Sequence, residues 1–163
     1  HNMADVLYQI GRYDEARSEI LQAIECSKAC DHTAEPWLSF VVLRRIENSD
    51  GNLVAAKSAW RQARDTYFAY RQQGGHAQTY AGMLADRVWL QLSRSEGEAA
   101  VRQQLRESID EFVVNESMPE CVKRFVPKLL VVIGGEQNET LTEDEILNYD
   151  EAAELLLLMK RLW

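Results

Sequence analysis

The chain has 163 residues, a net charge of −8 and 46% hydrophobic residues. That hydrophobic content supports a buried core and excludes global disorder, and the acidic balance excludes a sequence-independent grip on nucleic acid, which needs concentrated Lys and Arg facing the phosphates. No run of about 18 apolar residues occurs and no basic segment leads into an apolar one, so neither a membrane span nor a signal peptide is read, and a cytoplasmic location is expected.

His1, Asn2 and Met3 read as a tag remnant. Ala4 then opens inside an amphipathic pattern without a cap, which suggests a piece of a longer polypeptide. From there apolar residues return at helical spacing almost throughout, and the alternation of a half-buried strand is not sustained. The spacing predicts helices over 4–10, 14–29, 36–48, 53–73, 77–94, 98–114, 119–133 and 150–162. Pro36 and Pro119 suit first-turn positions, where a missing backbone donor costs nothing. Gly74-Gly75 and Gly134-Gly135 follow the last periodic residues of two helices, where a left-handed conformation favours glycine. Between Leu141 and Asn148 a short turn is expected from Thr142, with Glu145 in capping-box spacing.

Gly11 is followed by Ala16, Ile20 and Ala23, and Gly51 by Ala56, Trp60 and Ala63, at identical spacing. Small alanines let the preceding antiparallel helix approach closely, and the large residue between them fills the space where the next helix pair stacks. Gly97, Val101, Leu105 and Ser108 form a weaker third copy. These residues, with Tyr13, resemble the tetratricopeptide repeat, whose second half carries a glycine, an aromatic, an alanine, a large apolar residue and another alanine in this order. Ala16 and Ala56 lie 40 residues apart against a family unit of about 34, so the resemblance is to the extended-helix bacterial type. Arg44 and Glu47 stand where the family has a small residue and an aromatic.

The resemblance implies an all-α fold of antiparallel helix-pair repeats, a TPR-like α-solenoid, over residues 4–114. Residues 115–163 would supply C-terminal capping helices with an acidic segment, Leu155, Leu156, Leu158 and Leu162 turning inward and Glu151, Glu154, Lys160 and Arg161 outward. Between Glu136 and Trp163 lie eight acidic residues, read as a solvated face or a docking surface for a basic partner.

No set of reacting groups is apparent, so no enzyme activity and no cofactor are expected. Cys26 and Cys30, one turn apart with His32 nearby, lack a fourth ligand; they read as a small buried pair of apolar thiols rather than a metal site. Cys121 reads as a helix residue and His76 as the start of a helix. Asn115-Glu116-Ser117 and Asn138-Glu139-Thr140 match the glycosylation acceptor pattern, which matters only in a secreted chain. Trp60, Tyr67, Phe68 and Tyr70 are either core or a ligand box, with core packing expected.

What remains is surface recognition. The family's groove positions fall on Asp5 and Tyr8; on Leu38, Val41, Arg45 and Asn48; and on Met83, Asp86 and Leu90. Arg45 and Asn48, one turn apart, would bind a peptide carboxylate and backbone, or else solvate a surface and end a helix. The implied function is a non-catalytic interaction scaffold for a peptide or partner protein. A structural end-cap that binds its own polypeptide or another copy, and a small-ligand sensor, are the alternatives.

Overall fold

The computed structural model describes residues 2–29, 35–94, 99–113 and 119–163. Among them it is all-α: α1 (Asn2–Gln9), α2 (Tyr13–Ala29), α3 (Trp37–Ser49), α4 (Leu53–Gln72), α5 (Tyr80–Arg94), α6 (Ala99–Val113), α7 (Glu120–Ile133) and α8 (Tyr149–Leu162), with a 3-10 turn at Glu139–Glu143. The chain divides into two compact units, 1–67 and 68–163, with the boundary inside α4.

In the first unit α1 and α3 end in the same glycine turn. Arg12 N–H donates to Leu7 C=O and Gly11 N–H to Tyr8 C=O; one repeat later Asn52 N–H donates to Glu47 C=O and Gly51 N–H to Asn48 C=O. Both pairs are the two crossed bonds of a Schellman motif, and Gly11 and Gly51 hold the φ of +77° and +79° that a Cβ disfavours. Ala16, Ile20, Ala56, Trp60 and Ala63 are all buried, whereas Ala23 is half-buried. Burying Ile20 and Ile46 contributes about 1.5–3 kcal/mol each. Trp37 of α3 meets Tyr67 of α4 edge-on, ring centroids 5.1 Å apart, so Trp60, Tyr67 and Phe68 are core residues.

Glu47 of α3 is buried and yet ionically satisfied. Arg17 of α2 donates from Nε to its Oε1 at 2.7 Å and also reaches Asp50 and Asp14. The hydrogen bonds to Glu47, then Asp50, raise the guanidinium pKa further. An ion pair thus joins α2 and α3.

In the second unit α8 lies against α5, α7 and the 3-10 turn, and nine of its 14 residues are buried, while Leu156 and Leu162 are only half-buried. This corrects one expectation: Glu151 and Glu154 point inward, each 1% exposed. The reason is a set of cationic partners that helical spacing does not reveal. Arg71 of α4 donates from Nε to Glu154 Oε1 at 2.7 Å and from one terminal nitrogen to both oxygens of Asp86 at 2.8 and 2.7 Å; Arg161 adds a bond to Asp86 at 2.8 Å. Gly82 is required beside this cluster, because a Cβ there would stand 2.6 Å from Glu154 Oε1.

Other local expectations shift for identifiable reasons. Helix α5 starts at Tyr80, because Thr79 Oγ1 accepts from Gly82 N–H at 3.3 Å and supplies the cap. The capping box belongs to Asn148 and Glu151 at the head of α8, not to Thr142 and Glu145. The preceding turn starts earlier, where Asn138 Oδ1 accepts from Thr140 N–H at 3.1 Å. Pro36 and Pro119 stand one position ahead of the first helical residue, as N-caps. Cys26 is exposed rather than buried. His1, Cys30, His32, Gly97 and the triplet at 115–117 lie outside the described residues.

Candidate interaction surface

Helix α3 sorts its residues by face. Trp37, Phe40, Leu43, Ile46 and Glu47 are buried, while Leu38 and Val41 are half-exposed and Arg45 and Asn48 exposed along one edge. The Arg45 guanidinium lies 3.5 Å from Asp5 Oδ1 and 5.8 Å from the centre of the Tyr8 ring, and the Tyr8 hydroxyl is 3.1 Å from Ser49 Oγ. As α1 advances from residue 5 to 8, its partner on α3 advances from 45 to 49, so the two helices run parallel. Both helices therefore present this edge together.

Six of the predicted residues thus share adjoining faces of α1 and α3: Asp5, Tyr8, Leu38, Val41, Arg45 and Asn48. Asn48 also gives its backbone carbonyl to the helix-ending turn. Ser49 was missed, since a helix-terminal serine reads as a cap until its partner Tyr8 is known. Asp5 Oδ1 is buried and has no hydrogen bond; the Arg45 contact is an ion pair too long to be one.

Met83, Asp86 and Leu90 belong to the second unit. Met83 and Leu90 are exposed on α5, but Asp86 is committed internally. Burial opposes its ionisation, yet the hydrogen bonds from Arg71 and Arg161 outweigh that and hold its carboxyl below the ordinary range. The acidic segment is likewise drawn inward in part. Lys128 holds Asp144 at 2.6 Å and lowers its pKa, and Arg124 lies 3.6 Å from Glu151. Burial pushes the carboxyls of Asp150 and Glu151 up.

Another concavity went unnoticed in the sequence. A groove of about 600 Å³ opens between α5 and α6, lined by Leu84, Arg87 and Arg94 on one side and Val101, Leu105 and Ser108 on the other. The last three are the packing positions of the weak third repeat, which was the available signal. Among the described residues no cluster of three His, Cys, Asp or Glu side chains is placed to hold a metal ion, and no helix is long and apolar enough to cross a membrane. No known family, curated protein or solved structure matches the chain.

Proposed function

We propose that this protein is a non-catalytic interaction module of tetratricopeptide type, which holds the adjoining faces of α1 and α3 rigid and presents them to a peptide or partner protein. The observation that carries this reading is the Oδ1 of Asp5, buried and without a hydrogen bond apart from the 3.5 Å ion pair to Arg45, beside half-exposed apolar Leu38 and Val41. A peptide N–H would satisfy Asp5, apolar side chains would cover Leu38 and Val41, and Arg45 would take a carboxylate. The parallel run of α1 and α3 and the repeated glycine turn support the repeat assignment. The test is affinity capture with the whole chain beside its Arg45→Ala, Asn48→Ala and Asp5→Asn variants, with mass spectrometry of what is retained. A partner held by the parent and lost by the variants supports the reading, and equal retention removes this face from it.

A second reading, an end surface that takes another helix pair from its own polypeptide or another copy, is favoured by a row on α1. Val6 and Ile10 are 53% and 61% exposed, whereas Ile46, 40 residues after Val6, is 0% exposed. Concentration-dependent sedimentation that Val6→Lys abolishes would support it; a monomer at all concentrations would rule out self-association.

A further inference from the structure

We propose that the groove between α5 and α6 binds an acidic amphipathic helix. This inference concerns the second unit and stands whether or not the α1 and α3 face binds anything. In the first two repeat copies the motif's large residues, Ile20 and Trp60, are fully buried and its leading alanines nearly so. In the third copy Val101 and Leu105 are only half-buried and Ser108 is exposed. These three residues face the groove instead of a covering helix. Helix α6 is anchored on its other side, where Arg102 donates to the Ile133 carbonyl at 2.9 Å, so its apolar row is held open toward α5.

Charge and length then select the occupant. Arg87 and Arg94 line the groove and are exposed, and among the described residues neither makes an ion pair. No Asp or Glu is among the described lining residues, in a chain whose net charge is −8. The two guanidiniums sit two turns apart on α5, about 10 Å along its axis, and the lined stretch from Tyr80 to Arg94 runs about 21 Å. A ligand with a single carboxylate neutralises one of them. A helix carrying two carboxylates two turns apart, next to an apolar stripe, meets both while covering Val101 and Leu105.

The test uses the whole chain and a fluorescent synthetic peptide of roughly four helical turns, with a leucine stripe and two glutamates two turns apart, followed by anisotropy. The expected result is saturable binding that weakens with added salt and falls about tenfold or more in the Arg87→Glu, Arg94→Glu variant. The same variant should gain affinity for the peptide with lysines in place of the glutamates, which a variant that merely failed to fold would not do. Leu105→Glu should also weaken binding, with circular dichroism confirming retained helix. The proposal is overturned if the parent binds glutamate and lysine peptides alike or neither. It is also overturned if laurate saturates the groove while the peptide does not, which would assign it to a single-carboxylate amphiphile.

Discussion

Both units contain an arginine that ties helices together through carboxylates, and they differ in how far water is excluded. Arg17 in the first unit keeps 23% of its side chain exposed and pairs with buried Glu47 and part-exposed Asp50. Arg71 in the second is 3% exposed and its partner Glu154 is 0% exposed. The number of charged partners is similar. What differs is the cost of removing one of them, since a charge stranded away from water keeps its full desolvation penalty while one near the surface is rehydrated.

The largest effect is therefore expected at the second cluster. Arg71→Leu removes the Arg71 bonds to buried Glu154 and to Asp86, and should cost about 3–5 kcal/mol of stability in urea titration. Adding Glu154→Leu should return much of that loss, because the pair's value lies in mutual satisfaction. If the double variant is no better than the single, the buried pair is not the source of the effect. Arg17→Leu should cost less, about 1–3 kcal/mol, chiefly from leaving buried Glu47 without its donor. Here Glu47→Phe in the Arg17→Leu background should recover stability by replacing a buried carboxylate that has lost its donor with an apolar ring.

Titration sharpens the same contrast. The folded-state pKa of Asp86 is depressed, so its stabilisation is present above the ordinary carboxylate pKa and is lost as pH falls through the lower folded value. Glu151 has the opposite sign: burial raises its pKa, so its contribution is most favourable below about 4.5, the ordinary value, and is lost as pH rises through the folded one. Glu151→Gln should then stabilise the chain relative to the parent more at pH 7 than at pH 4, measured by thermal unfolding at both. An equal difference at the two values would contradict a raised pKa. The smallest effect belongs to Lys123→Ala, whose pair with Glu120 is 43% and 78% exposed; within about 0.5 kcal/mol, urea titration should show no change.

Much of the fold was legible because helix signals are local. The Gly11 and Gly51 turns, the alanine spacing and the aromatic seam around Trp60 each lie within a few turns of chain. The candidate surface was legible only in part. Asp5, Tyr8 and Arg45 meet because α1 and α3 run side by side, with the same 40-residue offset as Gly11 and Gly51. The ion pairs of Asp86 were not legible, because its partners Arg71 and Arg161 lie on other helices.

By itself, then, the sequence determined that the chain is helical, where it turns, and which small and large residues alternate, since backbone conformation and amphipathic periodicity are set by near neighbours. Tertiary structure alone decided the fate of the charges and of Val101 and Leu105. Glu154 is a buried residue because Arg71, 83 positions away, meets it, and spacing along a helix carries no record of such a partner. Val101 and Leu105 likewise obey the helical pattern whether a neighbour covers them or not; only the separation of α5 from α6 leaves them facing an open groove.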